Sequence, residues 1–139
     1  MFTVHDLAKR SRVTADTVRH YVRVGLLKPR RHPGNRYRLF TEADIRRLSF
    51  IRQAKSLGYT LDEIAQIFND SSRGRSPCPR VREIIQNRIA DNRVRLDELI
   101  GLQRRMEDAL ERWSGMPDGM PDGESVCHLI ESAKDDPSD

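Results

Sequence analysis

Residues 14–29 read TADTVRHYVRVGLLKP, and this stretch decides the fold. Thr14 is an N-cap residue for a helix that we predict over residues 15–24, and Gly25 supplies the left-handed position that ends it. Upstream, Thr3 is a second N-cap residue and predicts a shorter helix. Two short helices joined by a tight turn are typical of a helix-turn-helix.

The helix over residues 15–24 has an apolar face and a polar, basic face. At helical spacing Val18, Tyr21 and Val24 can face inward. The outward residues are of the kind that enters the major groove of DNA, although a solvated amphipathic helix is the plainer alternative. They are Thr14, Thr17, Arg19, His20 and Arg23.

Charge is distributed unevenly along the 139 residues. Residues 1–58 carry 14 Lys and Arg against 4 Asp and Glu, a net +10, whereas residues 59–114 are balanced and residues 115–139 carry a net −6. The N-terminal block is therefore the part expected to bind a polyanion. No secretion signal is recognised and no apolar stretch approaches the ~20 residues of a membrane span, so we expect a cytoplasmic protein without a membrane partner and with reduced cysteines.

A small basic wing is predicted between Lys28 and Phe40. Two short extended segments flank a Pro-Gly-Asn turn over residues 33–35, which indicates a β-hairpin. Arg36 lies at its tip and Arg38 on its second arm. Side chains in such positions bind phosphates without reading bases.

Two further helices are expected to complete a winged helix-turn-helix domain over residues 1–69. Thr41 precedes the third helix, and Thr60 with Glu63 has the spacing of a capping box at the start of the fourth. The fourth helix is expected to end near Phe68.

Three spaced motifs together resemble the MerR family of transcription regulators. They are residues 14–29, residues 37–44 (YRLFTEAD) and residues 51–64 (IRQAKSLGYTLDEI), and the agreement runs through about the first 68 residues. His20 departs from the aromatic residue that the family commonly has beside Tyr21. We expect operator affinity to come from the second helix and the wing, through Arg19, Tyr21, Arg23, Arg36, Tyr37 and Arg38.

A long helix is predicted over residues 80–113, after a linker over residues 70–79 that is rich in Pro, Gly and Ser. Its apolar residues recur at spacings of three and four, as in a coiled coil, with Asn92 and Gln103 as polar interruptions. The stripe comprises Ile85, Ile89, Leu96, Leu99, Met106 and Leu110. A single apolar stripe needs a partner helix, so we expect a homodimer, and the MerR resemblance implies an antiparallel coiled coil matched to two-fold operator DNA.

Residues 114–133 are expected to form an effector-binding loop and a short helix that begins at Asp122 or Ser125. A disordered acidic tail follows over residues 134–139. The predicted fold is therefore mainly α, with a winged helix-turn-helix domain, a long dimerisation helix and a short C-terminal loop and helix.

The only two cysteines, Cys78 and Cys127, lie at opposite ends of the predicted long helix. Cys78 is at its N-terminal end, where the helix dipole favours the thiolate that metals bind. The resemblance to metal-responsive MerR regulators implies a site between protomers, with Cys78 of one facing Cys127 of the other. It also indicates zinc, cadmium, lead or mercury, because the regulators of monovalent copper lack a cysteine at this position.

A third thiol is missing from that pattern. The first cysteine of the family's binding loop would fall at about Trp113, which leaves His128, Asp118, Asp122 or a water as the third ligand. On a helix His128 points about 100° away from Cys127, so both can bind one ion only with some distortion. We therefore favour a supporting or surface position for His128 over a ligand role. Two-coordinate mercury stays open, as does a pair of redox-active thiols without a metal.

These observations predict a dimeric regulator that binds operator DNA and distorts it when a divalent metal ion binds, so that RNA polymerase can engage the promoter. Two alternatives are a regulator that responds to thiol oxidation or electrophiles and a DNA-binding protein without an effector. An enzyme is not expected, because the sequence has no Gly-rich phosphate loop, no plausible carboxylate pair and no Cys/His nucleophile arrangement.

Overall fold

The computed structural model describes residues 1–31, 33–34 and 37–133. In chain order the elements are α1 (Val4–Ser11), α2 (Ala15–Arg23), β1 (Arg30–Arg31), β2 (Arg38–Leu39), α3 (Glu42–Ser56), α4 (Leu61–Ser72), α5 (Cys78–Ser114) and α6 (His128–Glu131). The chain divides into two units, Met1–Asn87 and Arg88–Asp139. The expected fold class is confirmed, with a helix-turn-helix, a two-stranded wing, a long helix and a short C-terminal helix.

Threonine caps begin both helices of the helix-turn-helix. Thr3 Oγ1 accepts a 3.2 Å hydrogen bond from the N–H of Asp6, whose carboxylate accepts one from the N–H of Thr3 at 3.3 Å. Thr14 caps α2 by accepting a 3.1 Å hydrogen bond from the N–H of Thr17. Gly25 follows with a φ of 83°, a conformation that glycine adopts at little cost. α2 ends one residue earlier than predicted.

The wing is an antiparallel two-stranded ribbon, in which Arg30 lies opposite Leu39. It is joined to the start of the chain, because Phe2 and Phe40 exchange two backbone hydrogen bonds of 2.7 and 2.8 Å. This pairing brings the start of α1 next to the second strand of the wing.

Helices α3 and α4 close the core of the first unit. Thr41 with Asp44 and Thr60 with Glu63 form the capping boxes at their starts. α4 continues to Ser72, one turn further than predicted. The largest fully buried side chains come from all four of the first helices and the segments between them: Leu7, Val18, Leu26, Leu27, Phe40, Leu48, Ile51 and Ile64.

One residue predicted to face inward does not. Val24 is 46% exposed, because α2 has already ended at Arg23 and the chain turns there. Its place in the core is taken by the next two apolar residues, Leu26 and Leu27, which are each 1% exposed.

Helix α5 begins at Cys78, two residues before the predicted start, so residues 73–77 connect it to α4. Its first turns belong to the first unit, where Val81, Ile84 and Ile85 pack against the core. From Arg88 onward α5 belongs to the second unit, and no residue of the helix is fully buried within the chain.

Helix α6 is a single turn with Cys127 as its N-cap residue. The expected start at Asp122 or Ser125 is therefore wrong. Asp122 instead forms a turn, since its Oδ1 accepts hydrogen bonds from the N–H groups of Glu124 and Ser125, both at 2.7 Å. The acidic tail expected over residues 134–139 lies outside the described residues. Within the described ranges, no helix has the length and apolar character needed to span a membrane.

Candidate functional site

The outward face of α2 carries most of the residues predicted to contact DNA. His20 and Arg23 are exposed, and Thr17 and Arg19 are half-buried. Arg19 donates from Nη1 to Oδ1 of Asp16 at 2.9 Å. Exposed ion pairs contribute little to stability, so this contact leaves the Arg19 guanidinium available to another anion.

Two of the residues predicted to contact DNA hold α2 in place. Tyr21 is 8% exposed and belongs to the core, because its spacing from Val18 puts it on the inner face of the helix. Its ring centroid lies 5.9 Å from that of His20. Thr14 uses its hydroxyl as the helix cap and lies 2.9 Å from the hydroxyl of Thr17. These side chains therefore orient the exposed residues of α2.

An open cavity of about 470 Å³ brings together α1, α2 and the wing. It is lined by Thr3, Val4, His5, Arg19, Tyr37 and Arg38. The lining by α1 was not predicted, although its N-cap Thr3 was the available clue, because free N–H groups of a first helical turn can bind phosphate. Tyr37 is 71% exposed, whereas the predicted Arg36 lies outside the described residues.

Two arginines of the basic N-terminal block hold the fold together. Arg52 donates from Nη1 to the carbonyl of Ser11 at 2.7 Å, and Arg47 donates from Nε to the carbonyl of Leu26 at 2.6 Å. The Arg47 guanidinium also lies 3.9 Å from the ring centroid of Phe68. Burial lowers the pKa of Arg47 from its ordinary value. These arginines attach α3 to the helix-turn-helix.

Most of the stripe predicted for dimerisation is exposed to solvent. Five of its residues are between 55% and 66% exposed: Ile89, Leu96, Leu99, Met106 and Leu110. Ile85 differs, since it packs half-buried against the core of the first unit. Gln103 donates its side-chain amide to Glu107 of the same helix at 2.8 Å. Large apolar side chains left in water along one helix are typical of an interaction surface.

Both cysteines are free thiols at the starts of helices. Cys78 is the first residue of α5 and is exposed, and its N–H donates to Ser76 Oγ at 3.3 Å. Cys127 is half-buried. Cys78 belongs to the first unit and Cys127 to the second.

Glu131 fixes the backbone around Cys127. Its carboxylate accepts hydrogen bonds from the Ser125 hydroxyl at 2.6 Å, from the N–H of Cys127 at 3.0 Å and from the N–H of Val126 at 3.3 Å. The hydrogen bond from Ser125 holds the pKa of Glu131 below its ordinary value, so the carboxylate is ionised at neutral pH. Glu131 was not among the predicted site residues, and its position one turn after Cys127 was the only indication of its role.

His128 has the side chain that best fits a further ligand. Its Nε2 is enclosed and has no hydrogen-bond partner in the described part of the chain, as is also the case for Nε1 of Trp113. An enclosed nitrogen without a partner is unfavourable, and neutral imidazole is a ligand that zinc prefers. Asp122 is less suited, because its Oδ1 already accepts two backbone hydrogen bonds. Among the described residues, no three His, Cys, Asp or Glu side chains lie together as a metal site.

The chain matches two models of related protein families. Residues 2–71 match the model described as MerR HTH family regulatory protein. Residues 45–112 match the model described as MerR, DNA binding. Together the matches cover the helix-turn-helix, the wing and almost all of α5.

Individual proteins are similar over most of the chain. The HTH-type transcriptional regulator ZntR of Escherichia coli (strain K12) is 29% identical over 95% of this chain and 92% of its own. A mercuric resistance operon regulatory protein of Shigella flexneri is 32% identical over 78% of this chain and 71% of its own. The crystal structure of the transcription regulator PbrR691 from Ralstonia metallidurans CH34 in complex with lead(II) is 30% identical, with a TM-score of 0.76 over 95% of this chain and 98% of that one.

Proposed function

The chain belongs to the MerR family of DNA-binding transcriptional regulators, and we propose that it activates a promoter when a divalent heavy-metal ion binds to cysteines of two protomers. One observation carries the proposal. The two thiols occupy the starts of α5 and α6, and the second is followed directly by the enclosed, unpartnered Nε2 of His128. The similar proteins include a mercuric resistance operon regulator and a regulator crystallised with lead(II).

Operator recognition is assigned to α2, the wing and the start of α1. His20, Arg23 and Arg19 enter the major groove, where basic side chains bind guanine edges and phosphates. Arg38 and Tyr37 bind the backbone, next to the first turn of α1. The net +10 of residues 1–58 attracts the DNA.

Dimerisation is assigned to the exposed stripe from Ile89 to Leu110. Pairing of two copies removes these side chains from water, and an antiparallel arrangement puts Cys78 of one protomer next to Cys127 of the partner subunit. Two equivalent sites result. The two-fold symmetry of the dimer fits an operator made of two half-sites.

The ligands available are two thiolates and one imidazole. Zinc, cadmium, lead and mercury all accept such donors, and a bound ion would link the start of α5 in one protomer to the loop of the other. Cys78 and Cys127 hold the ion, and His128 serves as the third ligand where Trp113 takes the place of a family cysteine.

Activation follows from a change in how the two DNA-binding units are held. The dimer bends and untwists the operator so that RNA polymerase engages both promoter elements. Distorting a site of this length costs on the order of 1–10 kcal/mol, so the effector must favour the activated conformer by a comparable amount.

Metal analysis and competitive titration of the reduced dimer test the proposal, with zinc(II), cadmium(II), lead(II), mercury(II) and copper(I). We expect tight binding of two divalent ions per dimer and increased transcription from the operator promoter with the same metal. Response to a thiol oxidant without metal binding would instead indicate redox regulation. Specific operator binding that no metal or oxidant changes would indicate a DNA-binding protein without an effector.

A further inference from the structure

The carboxylate of Asp70, in the last turn of α4, is buried, although aspartates are rarely buried without a partner. The residue is 6% exposed. Arg80 donates to it twice, from Nε to Oδ2 at 2.7 Å and from Nη2 to Oδ1 at 3.4 Å. The hydrogen bonding by Arg80 holds the pKa of Asp70 below its ordinary value, so both groups are charged at neutral pH. A buried charge of this kind is strongly unfavourable once its partner is removed.

Arg80 connects this carboxylate to the first turn of α5. It follows Cys78 by two residues. Its Nη1 donates to Oε1 of Gln66 at 3.1 Å, and Gln66 precedes Asp70 by one turn of α4. A single guanidinium therefore joins the start of α5 to two successive turns of α4.

A second contact holds the same part of α5 at the opposite end of α4. Tyr59 directly precedes the N-cap residue of α4 and is 5% exposed. Its hydroxyl donates to the carbonyl of Val81 at 2.7 Å. Val81 follows Arg80 and packs against the core. The start of α5 is therefore fixed at both ends of α4.

Helix α4 is in turn part of the DNA-binding core. Ile64 and Ile67 are buried in the same cluster as Leu48 and Ile51 of α3. Closely packed interiors transmit a displacement because they have little free volume to absorb it. A movement of the first turn of α5 is thus passed through α4 to the helices that carry the DNA contacts.

We propose that Asp70 and Arg80 are positioning residues that couple the effector ligand Cys78 to the DNA-binding core of the same protomer. The inference rests on the proposed function, in which Cys78 binds the effector. Coupling between two sites is a free energy of its own, separate from the affinity of either site. Loosening the ion pair should therefore leave the affinities for operator and effector unchanged, while effector binding no longer changes how the operator is held.

Three full-length variants test the link. Arg80→Gln removes the charge and the two parallel donors of the guanidinium. Arg75 remains within 3.8 Å of the Asp70 carboxylate, so we expect a lower melting temperature but a folded protein. Asp70→Asn keeps the shape of the buried partner, and the double variant combines both changes. Arg82→Gln is the matched control. Arg82 lies two residues after Arg80 on α5, is exposed, and makes no hydrogen bond or ion pair in the described part of the chain.

Four quantities are measured for each variant. They are the melting temperature, the operator Kd of the reduced metal-free dimer, the Kd for each of zinc(II), cadmium(II), lead(II) and mercury(II), and the ratio of transcription with and without that metal. Allosteric couplings are commonly about 5–150-fold, and we expect the wild-type ratio to lie in this range. In Arg80→Gln and Asp70→Asn the ratio should fall to within about 2-fold of unity, while both Kd values stay within about 3-fold of wild type and Arg82→Gln matches wild type. The transcription ratio of the double variant should be no lower than that of either single variant, because the two residues act as one unit.

The outcomes separate the two ideas. An undiminished ratio in Arg80→Gln, with a responsive wild type, overturns the coupling role and leaves the proposed function intact. The coupling role is also overturned if the variants lose melting temperature and operator affinity to an extent that accounts for the lost response. The Asp70–Arg80 ion pair is then structural. A wild type that binds none of the four metals and does not respond to them overturns the proposed function, and the coupling role with it.

Discussion

Gly119 lies directly against the imidazole ring of His128. A Cβ on Gly119 would come within 2.7 Å of Cε1 and still closer to Nδ1. A side chain there would displace the ring, so the loop and α6 are in contact at a position where glycine leaves the imidazole in place. The contact also fixes the direction of Nε2, the ring nitrogen left without a partner.

Gly119→Ala should therefore displace His128. We expect its imidazole resonances to shift in ¹H–¹⁵N NMR spectra, and the affinity for the metal that the wild type binds to fall by about 10-fold or more. Gly123→Ala is the control, since nothing lies within 4 Å of a Cβ at that position. Equal spectra for the two variants would show that the contact does not hold His128.

Glu131→Ala should loosen the backbone at Cys127, because three hydrogen bonds from residues 125–127 are lost. Loss of a residue that orients a ligand typically lowers metal affinity by about 10–100-fold, and we expect a decrease in this range. Isothermal titration measures it. Glu124→Ala removes an exposed acid of the same loop and should bind metal as the wild type does, and a similar loss in both would point to charge alone.

Arg38→Ala should weaken operator binding at every sequence, because a phosphate contact from the wing is removed. The slope of log K against log salt should decrease by about one unit, as expected for a single phosphate. Fluorescence anisotropy at several salt concentrations gives the slope. Arg93→Ala, an exposed arginine of α5, should leave the slope unchanged. An unaltered slope in Arg38→Ala would remove the wing from the DNA interface.

Leu96→Asp should dissociate the dimer, because an unpaired carboxylate would be buried in the stripe. Such a group costs several kcal/mol, so the dimer Kd should rise by about 100-fold or more. Sedimentation velocity measures the change. Val94→Asp is a closely matched control, since both residues are 57% exposed in the chain but lie about 200° apart around the helix. Intact dimers for both variants would contradict pairing through this stripe.

Cys78→Ser and Cys127→Ser should each abolish metal-dependent transcription and leave operator binding nearly unchanged. A heterodimer with one of each substitution should keep one complete site, because its two remaining thiols face each other at one end only. Transcription with purified heterodimer is the measurement. Loss of DNA binding in the single variants would show that the cysteines are structural, and full induction in both would exclude them from sensing.

Much of the first unit was predictable because its decisive features are local. The caps Thr3, Thr14 and Thr60 act within three residues along the chain, so the helix starts they predicted are confirmed. The predicted end of α4 was one turn too early, and Asp70 in that last turn pairs with Arg80, ten residues away. Nothing in the local pattern indicates that pairing.

The site residues divide in the same way. Spacing along α2 identified the exposed His20 and Arg23 and the inward-facing Tyr21, whereas the family resemblance had also assigned Tyr21 to operator binding. Ile85 has the spacing of the dimerisation stripe but packs against the first unit. The contact between Gly119 and His128 joins residues whose proximity depends on the path of the loop, and no periodicity records that path.

The sequence by itself determined the first five helices, the wing, the family and the position of Cys78 at a helix start, because caps, glycines and apolar spacing act over one or two turns. The tertiary structure alone decided which apolar and charged side chains are used inside a protomer. Arg47, Arg52 and Arg80 are basic residues of the kind found on DNA-binding surfaces. Each of them instead binds a carbonyl or carboxylate of a distant segment. Such contacts form only when the folded chain brings together groups far apart in sequence and removes them from water, where their charge must find a partner.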